Sequence, residues 1–214
     1  MIFRFAASLC LALGLTGCFS SQITLDYQPR PGMHVTGRPV ATAGRFYGGR
    51  GTNPWFIGHV DPSISTAQET LFLRVPADEA VRNAVLHALQ ARNLLKETGA
   101  AYYIAGEVEE LNCRLTSRPT ASARVRIHVL DSRNDKILFA RTYAHRRHAA
   151  NWQSGFYDPV PVLRELASRA LQDVIDQALD DPALRRVMRP RSPRTQGKPS
   201  PDTLPLTPAP PGSI

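Results

Sequence analysis

The chain has 214 residues, three cysteines and a formal charge of +8, so it is long enough for one domain with tails. No apolar run approaches the ~20 residues needed to span a bilayer as a helix. No zinc-type spacing of cysteine and histidine occurs either, which leaves a metal-built fold without support.

Arg4 forms a short positive region, and Phe5 to Leu13 is an apolar run of signal-peptide length. Small residues then run straight into a cysteine. Leu15-Thr16-Gly17-Cys18 resembles the lipobox of bacterial lipoproteins, which implies removal of residues 1–17 and acylation of Cys18. Such lipoproteins carry two or three acyl chains, and each buried methylene contributes ~0.8 kcal/mol, so the anchor would be permanent. Phe19 stands where an Asp would mark inner-membrane retention, and by that resemblance the periplasmic face of the outer membrane is expected. Cys10 would leave with the signal, and Cys113 would be the remaining free thiol. One thiol forms no internal disulfide, and a small core residue at a strand end is the expected role.

Charge is unevenly spread. Arg189, Arg191, Arg194 and Lys198 against Asp202 place +3 in the tail. A basic cytoplasmic chain would raise nucleic acid as a partner. A secreted, anchored one meets anionic lipid, lipopolysaccharide or cell-wall polymer instead, and no nucleic acid is expected.

In chain order, Ile23, Leu25 and Tyr27 alternate with polar residues and predict a strand over about 22–28. Residues 33–67 read as one long loop with a Gly/Arg-rich run from Gly44 to Gly51. That run lacks the Gly-Lys-Ser/Thr ending of a phosphate loop. Either it is a mobile loop whose Tyr47, Trp55 and Phe56 pack back on the domain, or it is a functional loop. In the second case Arg45, Arg50, Trp55 and Phe56 would suit a polar-headed apolar ligand or a partner.

Glu69 to Val75 predicts a strand broken by Pro76. A helix from about Ala77 to Arg92 follows, with Asp78 and Glu79 at its positive end and Val81, Ala84, Val85, Ala88 and Leu89 on one face. His87 falls off that face. Ala101 to Asn112 predicts a strand, on which Glu107, Glu109 and Glu110 read as a solvated face rather than an acid/base pair. Ala121 to Asp131 and Lys136 to His145 predict a hairpin around Ser132-Arg133-Asn134-Asp135. Its outer face would gather Arg124, Arg126 and His128, with Arg146, Arg147 and His148 near its end. That basic face could meet anionic lipid or polymer, or be a solvated face with cross-strand partners. His145 and His148 would lie on opposite strand faces and could not share a metal.

Trp152, Phe156 and Tyr157 fall in a loop. Val160 to Asp180 is the strongest helix, striped by Leu163, Leu166, Ala167, Ala170, Leu171, Val174, Ile175 and Ala178. Asp181-Pro182 ends it, and residues 183–188 could add a turn. The tail, residues 189–214, is rich in Pro, Ser and Thr and is expected to be disordered.

Neither helix can bury its stripe alone, which predicts an α/β (α+β) two-layer sandwich, with two long helices on one face of a mixed, largely antiparallel sheet. The core would span 69–188 plus the first strand, with 18–68 the acylated N-terminus and long loop. Residues Val75 to Val81, Leu86 to Leu95, Tyr103 to Val108, Val125 to Asp131 and Ala178 to Pro182 together resemble the YajG-type and ABC-transport-auxiliary lipoproteins. The pattern departs at Asn93, where a glycine is expected after the helix. The resemblance implies a non-enzymatic accessory of envelope lipid transport or assembly that binds a protein partner and needs no cofactor. It carries over no site residues. The alternative is a binding module for lipopolysaccharide, anionic phospholipid or peptidoglycan through the basic face and tail.

Overall fold

The computed structural model describes residues 19–30, 38–48, 53–61, 69–150, 152 and 158–189. The signal segment, Cys18, Arg50, Phe156, Tyr157 and the tail from residue 190 lie outside them. Among the described residues the fold is mixed α+β: a seven-stranded open sheet with helices packed on one face. The strands are β1 (Phe19–Ile23), β2 (Ala41–Gly48), β3 (Phe56–Val60), β4 (Glu69–Leu73), β5 (Tyr102–Leu115), β6 (Pro119–Asp131) and β7 (Ile137–His148). The helices are α1 (Ala77–Ala91), α2 (Pro159–Asp180) and the short α3 (Pro182–Val187).

The strand order is β1-β4-β3-β5-β6-β7, with β2 also on β5. Three pairings are parallel (β1 with β4, β2 with β5, β3 with β5), and three are antiparallel, including the two longest ladders. β2 and β3 share one edge of β5. β2 runs beside Tyr102–Val108 and β3 beside Cys113–Leu115. They are two pieces of one edge, interrupted between Gly48 and Phe56.

The strand expected over 22–28 instead occupies 19–23, where its backbone pairs with β4. Ile23 and Tyr27 are buried as the alternation implied, but Tyr27 lies past the ladder. The larger correction concerns residues 33–67, where two strands stand in place of a continuous loop. β2 is faint in sequence because two of its inward residues, Ala41 and Ala43, are small. A bulge between Ala43 and Phe46 also shifts the period of two. β3 carries Gly58, and a Cβ there would come within 1.6 Å of the Cys113 carbonyl oxygen. Glycine is what lets β3 reach β5 at all.

The helices follow their stripes. α1 lies over β2 and β5, α2 crosses β5, β6 and β7, and the two helices touch. The Ala77 N–H, unsatisfied at the start of α1, donates to the Pro54 carbonyl. At the other end Asn93 takes φ 53°, Leu94 N–H donates to Leu89 O, and Asn93 N–H donates to Gln90 O. This is a Schellman closure, in which asparagine fills the left-handed position expected of glycine. Asp158 caps α2 by accepting from Val160 N–H at 3.0 Å, with Pro159 in the first turn. Val125, Ile127, Val129, Leu163, Val174 and Ile175 are buried between the layers.

Candidate functional site

Alternation on the long strands divides the sheet into a helix-covered face and an open one. On β6, Ala121, Ala123, Val125, Ile127 and Val129 turn to the helices. Ser122, Arg124, Arg126, His128 and Leu130 therefore turn to the open face. The register carries this sorting across the sheet. Tyr103 sits opposite Leu130, Ala105 opposite His128, Glu107 opposite Arg126, Glu110 opposite Arg124 and Asn112 opposite Ser122.

The open face is thus less basic than the hairpin alone suggested, because β5 sets carboxylates opposite its arginines. Glu110 accepts from Ser122 Oγ at 2.6 Å and from Asn112 Nδ2 at 2.8 Å, with Arg124 Nε at 3.9 Å. Those contacts, the Ser122 bond foremost, hold its carboxyl below the usual range. Glu109 lies at the bulge of β5 and accepts from Thr142 at 3.1 Å. His128 is pushed toward its neutral form, first by burial and then by Arg126.

Of the residues singled out in sequence, Arg124, Arg126 and Arg146 lie on the open face. Arg147 does not. It stands opposite Ala121 on the helix-covered side, where its Nη2 lies 2.5 Å from Asp173 Oδ2. Successive strand residues alternate, so Arg146 and Arg147 could not share a face. His145 joins Arg147 at Asp173, at 3.2 Å, while His148 pairs with Thr120 on the other side.

Arg45 sits in the bulge of β2 and lines a groove of about 500 Å³ on the open face, with Tyr47, Tyr103, Ala105, Glu107 and Leu130. Tyr47 is 60% exposed, Trp55 47% and Phe56 42%. All three keep much of their surface exposed. Tyr47 ends β2 and Phe56 begins β3, so the three flank the break between those strands. Phe56 meets Phe72 edge-to-face, with centroids 6.2 Å apart.

The helix-covered side holds a polar cluster that the sequence reading missed. Asp173, Asp176 and Asp180 lie three and four residues apart on α2, which puts them on one face beside the apolar stripe. Arg92 is only 3% exposed and Asp176 2%. Arg92 Nη2 donates to Asp176 at 2.9 Å, and Nη1 donates to Tyr27 Oη at 3.0 Å. Tyr27 donates onward to Asp176 at 2.6 Å. Burial foremost, then the bond to Asp176, pushes the Tyr27 hydroxyl up to about 12. Arg30 reaches both Asp173 and Asp176. The cluster therefore ties the segment after β1, the end of α1, the middle of α2 and β7 together. Three aspartates at helical spacing inside an apolar stripe were the available signal. A second knot lies beyond, where Asp181 accepts from Tyr143 at 2.6 Å and from Arg141 at 2.5 Å, and caps α3 through Ala183 N–H.

Cys113 is buried near the end of β5, and burial pushes its thiol up to about 12, which removes it as a nucleophile. Among the described residues no group of three or more His, Cys, Asp and Glu is placed to hold a metal. No described helix is long and apolar enough to cross a membrane.

No protein-family model and no curated protein matches the sequence. Solved structures do. Protein XCC0632 from Xanthomonas campestris, of the DUF330 family, is 16% identical with a TM-score of 0.53, covering 75% of this chain and 92% of that one. A candidate lipoprotein from Caulobacter crescentus is 18% identical with a TM-score of 0.37, covering 50% and 80%. Lipoprotein GNA1162 from Neisseria meningitidis is 14% identical with a TM-score of 0.25, covering 64% and 99%. With XCC0632 the likeness is one of fold.

Proposed function

We propose that the chain is a non-enzymatic lipoprotein of the bacterial cell envelope. It is held to a membrane through acylated Cys18 and presents the open face of its sheet to a protein partner. The observation that carries this reading is the groove beside β2. Helices cover one side of the sheet, while on the other Arg45, Tyr47 and Tyr103 surround an uncovered, largely apolar hollow. Exposed aromatics around such a hollow suit the anchoring contacts of a protein interface.

The lipobox supports the anchor, and Phe19 after the cysteine favours the periplasmic face of the outer membrane. The resemblance to YajG-type and ABC-transport-auxiliary lipoproteins supports a partner in envelope lipid transport or assembly. The finer YajG-type assignment rests on sequence pattern alone.

Purification of the intact protein in mild detergent, followed by mass spectrometry of what accompanies it, tests the reading. Envelope transport or assembly subunits should co-purify, and Tyr47→Ala with Tyr103→Ala should lower their recovery about tenfold or more, as loss of two aromatic anchors would. Unchanged recovery from that double variant would remove the groove from the interface. Cys18→Ser should move the protein from the membrane to the soluble fraction.

A further inference from the structure

The start of β1 lies directly beside the expected point of acylation. Cys18 is bonded directly to Phe19, and Phe19 is already paired with Glu69 in the ladder. Consecutive Cα atoms lie ~3.8 Å apart, so no flexible spacer separates an acylated Cys18 from the rigid sheet. The register then defines a row across the sheet. Phe19 pairs with Glu69, Glu69 with Val60, Val60 with Leu115, Leu115 with Pro119, and the neighbouring Thr120 with His148. Five strand spacings of ~4.8 Å make this row about 24 Å wide, with Phe19 at one corner.

The charges along the row are segregated. Arg114 is next to last in β5, Arg118 lies in the turn to β6, and Arg146 lies near the end of β7; all three are exposed. None makes an ion pair among the described residues. The acidic groups of the row, Glu69 and Asp61, fall on the β1-β4-β3 half, where Ser21 Oγ donates to Glu69. Glu110 lies two steps further in on the open face, bonded to Ser122 and Asn112, and draws on Arg124 and, more weakly, on Arg146.

Building on the anchor reading above, we infer that this end of the sheet is seated on the membrane and that Arg114, Arg118 and Arg146 bind anionic phospholipid headgroups. Acyl chains alone would leave the domain free to pivot about Cys18. A second, charged contact about 14–24 Å away removes that freedom, since each arginine near an anionic surface contributes roughly a fivefold preference. The sheet then stands on its end, and its open face looks sideways along the membrane, clear of the lipid.

The test uses the intact acylated protein in phosphatidylcholine liposomes, with or without about 30 mol% phosphatidylglycerol. Fluorescent reporters are attached at Ser117→Cys in the β5–β6 turn or at Asn134→Cys in the β6–β7 turn, about 40 Å away along β6. A headgroup-attached quencher should quench the reporter at 117 at least about threefold more than the one at 134 when phosphatidylglycerol is present. Replacing the three arginines by glutamine should bring the two toward parity, with the melting temperature read alongside. Arg118→Gln alone, in an exposed turn, gives the same readout at smaller amplitude should the triple variant fold poorly. Equal quenching of the two reporters would overturn the inference. So would a difference indifferent to phosphatidylglycerol and to the arginines, or one produced only by lipopolysaccharide or cell-wall fragments. The mass of the same sample keeps the two readings apart. A chain without acyl mass on Cys18 sinks the anchor, whereas an acylated chain with equal quenching sinks only the orientation.

Discussion

β7 carries two sets of cationic residues, and its two faces treat them differently. Arg141, His145 and Arg147 point to the helices and meet Asp181 or Asp173, while Arg146 and His148 point to the open face. Composition cannot distinguish the sets, and neighbours in sequence belong to different ones. The difference shows that an arginine here is a structural group or a recognition group according to the parity of its position. On the covered side, the cations meet buried aspartates, Asp173 on α2 and Asp181 at its end. On the open side, the opposing groups are partly exposed glutamates of β5 that already accept hydrogen bonds from Ser122, Asn112 or Thr142, and their pairs with arginine contribute little.

The comparison is broken most forcefully at the buried cluster. Arg92→Met should destabilise the protein by about 3–5 kcal/mol in urea unfolding, because it leaves Asp176 buried beside Tyr27 with its main counter-charge gone. Replacing Arg92 and Asp176 together by apolar residues should recover much of that loss, as removing both partners leaves no orphan charge. Recovery of nothing would show that the cluster is needed for packing rather than for charge balance.

A smaller contrast comes from adjacent residues. Arg147→Ala should cost about 1 kcal/mol, since its partner Asp173 is buried, although the arginine itself is 41% exposed. Arg146→Ala should fall within about 0.5 kcal/mol of the parent. Equal effects in the same urea titration would erase the distinction between the two faces.

The smallest expected effect is a pH dependence. Glu110 has its folded pKa depressed, so the stability it contributes is present above the ordinary carboxylate value and lost as pH falls through the lowered one. Glu110→Gln should therefore lower neutral stability slightly and leave the acid end almost unchanged, which flattens the acid limb of the stability–pH curve. A steeper acid limb in that variant would reverse the assigned direction.

Much of the architecture was legible in sequence because the long elements carry clean periods. β6 alternates over its length, and α2 shows its stripe for more than four turns. β2 and β3 were not legible. A bulge in each breaks the period of two, and β2 opens on the small Ala41 and Ala43. β3 is only five residues long with Gly58 at its centre, and both strands depend on β5 being long enough to pair with them on one edge. The candidate site was legible by residue type but not by grouping. Arg124, Arg126 and Arg146 share a face as the hairpin implied, whereas Arg147 crosses to the other side. The carboxylates that temper the open face come from β5, which the hairpin pattern alone does not place alongside. The buried cluster was hidden for a different reason. Arg92 reads as a helix-end cation until tertiary packing brings it to α2.

The segment between Phe19 and Arg30 also sets how the domain would bear a mechanical load. β1 is parallel to β4 over five residue pairs, so a pull on Phe19 along the strand axis loads those hydrogen bonds together, in shear, rather than one after another. Beyond the strand, Tyr27 and Arg30 are bonded to Asp173 and Asp176 on α2, which passes the remaining force to the helix layer instead of to the sheet edge. Resistance to such a pull is governed by the rate of unfolding. A domain strained against its own tether would therefore yield first at these short ladder bonds, with the Tyr27–Arg30 clasp as the second barrier.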